Sequence, residues 1–167
     1  MKILHLMRHA KSAWDQPGLS DRERELNKRG MRDAPRMGEA LAQRMAPMVI
    51  TVSPARRAQL TLAGLCVGWP ALAELPHRTE EDLYTFSADD LFNFIAAQDD
   101  GERRVFIIGH NPALTELINT LVGDDNLYNL PTAGYVELAL AIDRWRDVQQ
   151  ACAMMPFSLF PKELSTD

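Results

Sequence analysis

The sequence predicts an α/β fold: one domain over residues 1–167, built as a mainly parallel sheet between two helical layers with an antiparallel edge. Three observations lead there. The apolar runs Ile3–Met7, Val49–Val52 and Val105–Ile108 have the length and composition of strands buried on both faces. Helical apolar spacing fills the stretches between them, as crossovers between parallel strands require. An alternating run from Tyr135 to Ile142 and a second over about 147–155 then flank a turn at Asp143–Arg146, the pattern of a hairpin.

Each element has a local reason. Residues 3–7 give the first strand, and the segment from Ala10 to Asp21, with Trp14, Pro17 and Gly18, reads as an irregular loop beyond it. From about Gly30, the residues Met31, Ala34, Gly38, Leu41 and Met45 recur at three- and four-residue spacing. Regular helix is expected to begin near Pro35, because a proline deeper in a helix removes a hydrogen bond. A strand over about 48–52 precedes a helix over roughly 55–67, with Ala58, Leu62 and Leu65 inward and Gly68 and Pro70 closing it. Residues 74–79 read as a short edge strand and 80–84 as a loop, with Ser87 as N-cap of a helix bearing Leu91, Phe94 and Ile95. After the strand at 104–108, Asn111 is expected to cap a helix opening at Pro112, striped by Leu114, Leu117, Ile118 and Leu121 and stopped by Gly123. The tail from about Pro156 reads as loosely structured.

Composition excludes several classes. A net charge of −5 argues against nucleic-acid binding, which needs a basic face. The run Arg22, Arg24, Lys28, Arg29 and Arg32 is interleaved with Asp21, Glu23 and Glu25, so it reads as a solvated helix start. No stretch has the length to span a membrane, and residues 1–10 lack the apolar region of a signal peptide. Cys66 and Cys152 are far apart and in no metal-like spacing, which suits buried thiols in a reducing, cytoplasmic compartment.

The chemistry gathers where the strands end. Arg8-His9 follows the first strand, Ser53-Pro54-Ala55-Arg56-Arg57 the second, and Gly109-His110-Asn111-Pro112 the third strong one. Ligands of open α/β sheets sit at those carboxyl ends. Guanidinium groups grip phosphate or carboxylate through paired hydrogen bonds. A neutral histidine can attack as a nucleophile, and a second, protonated one can stabilise phosphoryl oxygens. The helix start after His110 adds N–H groups and a positive dipole end, which disfavours imidazolium while a bound phosphate favours it. The sequence therefore leaves the charge of His110 open. Positioning and charge neutralisation are most of phosphoryl transfer, and these residues supply both with no cofactor. Metal binding would need a carboxylate or thiolate adjoining the histidines, and the neighbouring arginines repel a cation. No Walker-type loop or dinucleotide fingerprint is present.

Leu6-Met7-Arg8-His9-Ala10 resembles the opening RHG signature of the histidine phosphatase superfamily. Ser53-Pro54 with Arg57-Ala58 and Thr61 is similar to its second-arginine motif, and Gly109-His110-Asn111 to its second-histidine motif. The resemblance runs from Met1 to about Ile142 and is nearest the compact SixA-type phosphohistidine phosphatases, with Leu26, Gly30, Leu83-Tyr84 and Pro131-Thr132-Ala133 adding to it. It implies a phosphoglycerate mutase-like fold, attack on phosphorus by His9, and a phosphoryl group held by Arg8, Arg57 and His110. Ser12 and Asn111 are further phosphate-binding candidates. Ala10 stands where glycine is usual, although the compact branch often has alanine there. Larger members carry a glutamate as general acid in the loop after the second helix. Asp82 is the best-placed candidate here, with Glu80 and Glu81 competing.

The implied activity is a metal-independent phosphatase, with a phosphohistidine-bearing signalling or phosphotransfer protein as first substrate and a small phosphorylated metabolite as second. A module that binds a phosphorylated partner without hydrolysing it would use the same arginines; the two histidines favour catalysis. His5, inside the first strand, reads as structural, and His77 as surface. Trp14 either walls the site or packs a loop, and for Lys11, Ser12 and Asn27 loop polarity and capping explain as much as phosphate contact.

Overall fold

The computed structural model describes residues 1–164 of the chain. Its strands are β1 (Lys2–Arg8), β2 (Thr51–Val52), β3 (Arg78–Thr79), β4 (Arg104–Gly109), β5 (Tyr135–Leu140) and β6 (Ala153–Leu159). Its α-helices are α1 (Lys28–Ala42), α2 (Arg56–Gly68), α3 (Ala88–Ala96) and α4 (Ala113–Val122). The strands form one sheet in the order β3-β2-β4-β1-β5-β6. The pairs from β3 through β1 are parallel, and β5 and β6 add the antiparallel edge. This is the three-layer α/β/α fold expected.

Alternation along the strands divides the core. Leu4, Leu6, Val105 and Ile107 pack with Leu91, Ile95, Leu114, Leu117 and Ile118 from α3 and α4. Met7, Val52, Phe106, Ile108 and Tyr135 pack on the other face with Ala34, Met37, Leu41, Ala58 and Leu65 from α1 and α2. Both faces are covered, so the central strands read as continuous apolar runs. Each fully buried leucine contributes roughly 2 kcal/mol of apolar transfer.

Several boundaries differ from expectation. Helix α1 begins seven residues before Pro35, because Asn27 caps it by accepting from the Gly30 N–H at 2.8 Å, and Pro35 sits inside the helix. The α1–α2 contact is close, since a Cβ at Gly38 would collide with the Leu65 carbonyl and one at Gly68 with the Pro35 carbonyl. Asp21–Glu23 is a separate 3₁₀ turn, not the start of α1. Strand β2 keeps two of the five residues expected. Ser87 occupies the N-cap position of α3 without a side-chain cap; instead the Thr85 hydroxyl accepts from the Ser87 N–H and donates to Asp90. Helix α4 opens at Ala113, yet Asn111 still satisfies its first turn by accepting from the Thr115 N–H at 3.1 Å. Gly123 ends it at φ 88°, a conformation glycine adopts without strain.

The final hairpin is real but displaced. Trp145–Asp147 forms a 3₁₀ turn that buries Trp145, and the returning strand runs from Ala153 to Leu159. The tail expected to be loose from Pro156 is therefore strand up to Leu159, followed by a 3₁₀ turn at Pro161–Glu163. Positions 165–167 of that tail lie outside the described residues. Cys66 and Cys152 are free and half-buried, less enclosed than expected. His77 is no plain surface residue: it accepts from the Ile50 N–H at 2.9 Å and donates to the Leu72 carbonyl at 2.7 Å. Among the described residues no helix is long and apolar enough to cross a membrane.

Candidate active site

The sheet brings three loops together by register. Arg8 at the end of β1 lies opposite Gly109 at the end of β4, and the His9 N–H donates to the Gly109 carbonyl at 3.1 Å. On the other side of β4, the Ser53 N–H donates to the Ile108 carbonyl at 3.1 Å. His9, His110 and the segment leading into α2 thus emerge side by side.

His9 is 6% exposed. Its Nδ1 lies 2.7 Å from the Ala10 carbonyl oxygen. A carbonyl only accepts, so Nδ1 carries the ring proton and Nε2 keeps its lone pair. The Ala10 N–H is itself held by the Thr61 hydroxyl at 2.9 Å, which donates onward to the Arg57 carbonyl. Burial, reinforced by the charges of Arg57 and Arg8, pushes the His9 pKa down to about 4 despite the Ala10 bond. The imidazole is neutral at pH 7, the state a nucleophile needs.

Arg57, in the first turn of α2 and 4% exposed, presents two edges. Its Nε lies 3.4 Å from His9 Nε2 and its Nη2 3.4 Å from His110 Nδ1. At the tip, Nη1 donates to the Asp21 main-chain oxygen at 2.6 Å and Nη2 to Asp21 Oδ2 at 3.0 Å.

His110 faces His9 with ring centroids 5.2 Å apart. The Arg57 guanidinium can only donate, so His110 Nδ1 accepts and Nε2–H donates to Ser53 Oγ at 2.7 Å. Burial first, then His9 and Arg57, lowers its pKa to about 3. With the charge left open by the sequence, these surroundings favour the neutral ring. Tyr84 and Phe86 stand edge-on to its ring at 5.5 and 5.7 Å.

Arg8 sends Nη1 to the Leu130 carbonyl at 3.1 Å, while its buried Nε has no hydrogen-bond partner. Burial and the charge of Arg57 lower its pKa. Two cations side by side with a spare donor make a site short of an anion.

Of the remaining candidates, Asp82 lies exposed in the Glu81–Leu83 turn and lines a groove with Tyr84, Thr85, Asp90 and Gln98. The turn directs the following residue, Tyr84, inward instead. Asn111 is fully engaged, accepting from Thr115 and donating to Asn129 and Leu130, so no amide hydrogen is left for a phosphate. Ser12 bridges Leu26 through its backbone and lines a cavity of about 790 Å³ with Lys11, Trp14 and Asn27. Trp14 is 66% exposed, with the Arg24 guanidinium 4.0 Å over its ring. Arg56 pairs with Glu25 at 2.9 Å.

Asp21 is the carboxylate that the sequence does not single out. Partial burial opposes its charge, yet bonds from Tyr84 and Arg57 outweigh this and lower its pKa. The one available signal was an acidic residue inside a basic run, a pattern shared by any solvated surface.

No curated protein sequence matches the chain. Among solved structures, the protein assigned as phosphohistidine phosphatase SixA from Agrobacterium tumefaciens is similar at 25% identity and a TM-score of 0.78, over 96% of this chain and 98% of that one. The protein histidine phosphatase SixA complexed with tungstate superposes with a TM-score of 0.77 at 21% identity, over 98% and 99% of the two chains. A mycobacterial glucosyl-3-phosphoglycerate phosphatase shares the fold at 15% identity and a TM-score of 0.66, over 93% and 97%. The family profile of the histidine phosphatase superfamily (branch 1) matches residues 4–93, a span that includes Arg8, His9 and Arg57 and more than half the sequence, and the chain belongs to that superfamily.

Proposed function

We propose that this histidine-type phosphatase removes the phosphoryl group from a phosphohistidine on a signalling or phosphotransfer protein, through a phosphohistidine intermediate on its own His9. The lone pair of His9 Nε2, aimed at the Arg57 edge, supports the nucleophile's role. In the first step Nε2 attacks phosphorus and the bond to the substrate nitrogen breaks, its electron pair returning to an imidazole that takes up a proton. Arg8 and Arg57 hold the phosphoryl oxygens, and His110 joins them once the negative charge of the arriving phosphate raises its pKa and Nδ1 takes up a proton from solvent. In the second step water attacks phosphorus, the P–Nε2 bond breaks, and inorganic phosphate leaves with His9 neutral again. No metal takes part.

The observation that carries the choice of substrate is the state of the carboxylates. Asp21, the carboxylate on Arg57, has a lowered pKa and is ionised, so it holds no proton to give an alkoxide. Asp82 is exposed in the Glu81–Leu83 turn, where solvent keeps an aspartate an ordinary carboxylate rather than a proton store. An alkyl ester needs such a proton at its leaving oxygen, whereas a phosphoramidate nitrogen is protonated directly. Phe86, 48% exposed beside His110, forms an aromatic rim that suits an imidazole on a protein surface. The free, half-buried cysteines fit a cytoplasmic setting.

The test is phosphate release from a phosphohistidine-bearing protein, with and without EDTA, by the wild-type chain and His9→Ala. Release that persists in EDTA and vanishes in the variant is expected. Hydrolysis of an aryl phosphate alone would move the substrate to small phosphoesters. Phosphate binding with no turnover of either would leave a binding module.

A further inference from the structure

Arg57 has two ways to meet an oxyanion: side-on through Nε and Nη2, or end-on through Nη1 and Nη2. Only the side-on edge faces the two histidines. The end-on edge is taken by the main-chain oxygen and carboxylate of Asp21. The carboxylate is itself fixed, because the Tyr84 hydroxyl donates to the same Oδ2 at 2.6 Å. The two turns that carry Asp21 and Tyr84 are tied by Arg22, whose guanidinium makes paired bonds to Glu81 at 3.0 and 2.6 Å and lies 5.6 Å over the Tyr84 ring.

We propose that Asp21 is a positioning residue, clamping the tip of Arg57 so that its side-on edge is presented to the phosphoryl group, with Tyr84 as the second jaw. The inference rests on the reading of Arg57 as a phosphoryl-binding residue. An arginine side chain has several rotatable bonds, and ordering them at the moment of binding costs affinity. Ordering them during folding removes that cost and holds the donors where charge develops. Charge alone argues the opposite sign. An ionised carboxylate beside an anion site repels a phosphate, so if Asp21 acts only through its field, removing it strengthens phosphate binding. The two roles separate in one measurement.

That measurement is the affinity of the full-length chain for inorganic phosphate by titration calorimetry, alongside kcat/KM for phosphate release. Asp21→Ala is expected to weaken phosphate binding and kcat/KM by about tenfold each, the scale of one charge-assisted hydrogen bond. Asp21→Asn keeps an acceptor oxygen for both Arg57 and Tyr84 and is expected to recover most of the loss. In an Arg57→Lys background, Asp21→Ala is expected to add less than about twofold, because coupled residues are non-additive. The Asp21 side chain is 45% exposed, so both variants are expected to fold, with melting curves as the control.

Tighter phosphate binding in either variant would overturn the clamp and make Asp21 a competing anion. An Asp21→Asn as damaged as Asp21→Ala, with a lost alkaline limb in the pH profile, would make Asp21 a proton carrier and overturn it too. So would full additivity with Arg57→Lys. A wild-type chain that binds phosphate but turns over no substrate removes the phosphatase reading and leaves the clamp to be judged on binding. A wild-type chain that binds no phosphate overturns the clamp.

Discussion

Strand β1 carries two buried histidines four residues apart, His5 in mid-strand and His9 just beyond its end. Both have pKa values pushed down to about 4, burial first and a nearby arginine after it. His5 nevertheless belongs to a closed cluster. Its ring lies between Phe106 and Tyr135 at 5.5 and 6.0 Å, and it bonds Tyr135 at 2.6 Å and Arg104 at 3.3 Å. Glu137 takes a bond from Tyr135 and an ion pair from Arg44, so the ring nitrogens of His5 and the Tyr135 hydroxyl all find partners within the cluster. Around His9, Arg8 and Arg57 face a second neutral histidine, Asp21 is the carboxylate that answers them, and Arg8 Nε has no partner. A depressed histidine pKa therefore does not mark a site by itself. An unmet buried donor beside two arginines and a second histidine does, because a native fold rarely leaves such a group unless a ligand completes it.

Swapping the two histidines tests that distinction most severely. His9→Ala is expected to cut phosphate release by roughly 10³-fold or more with little change in melting temperature. His5→Ala is expected to leave kcat near wild type while destabilising the fold by roughly 3 kcal/mol, since it opens a cavity between Phe106 and Tyr135 and removes the bonds to Tyr135 and Arg104. Activity lost at His5 with stability intact would erase the contrast.

An effect shared by both clusters appears in acid. The folded-state pKa values of His5, His9 and His110 are about 4, 4 and 3, below the unfolded value of 6.5. As pH falls through 6.5 the unfolded chain takes up protons that the native one refuses, so stability drops between about pH 6.5 and 4. Each histidine contributes up to roughly 3 kcal/mol to that loss. Thermal melts across this window measure it, and a flat profile would contradict the neutral state of all three. The smallest effect is at Asp82. Asp82→Asn is expected to change phosphohistidine turnover by less than about twofold, checked by steady-state kinetics; a much larger loss would restore it as the acid.

The strand ends were legible in sequence for a simple reason. A strand buried on both faces must be apolar throughout, so the change to Arg8-His9 or Gly109-His110 marks its carboxyl end. Leu114 and Gly123 were legible through periodicity and a helix-stop residue in the same way, whereas the Asn27 cap of α1 was not, because Pro35 pointed to a later start. The span of β6 was not, because Pro156 and a neighbouring polar residue obscure an edge strand whose pairing partner is β5. Asp82 is a case where distance along the chain was readable and the direction of its turn was not.

By itself, the sequence determined the layered α/β fold, its membership in a phosphatase superfamily, and four of the residues gathered at the strand ends. Those depend on local composition, periodicity and motif. Only the tertiary structure decided which nitrogen of His9 keeps its lone pair, that His110 stands between Arg57 and Ser53, and that Asp21 and Tyr84 hold the tip of Arg57. Each of these depends on an atom contributed by another segment or on the direction of a main-chain carbonyl, and neither quantity is encoded in the spacing of residues along the chain.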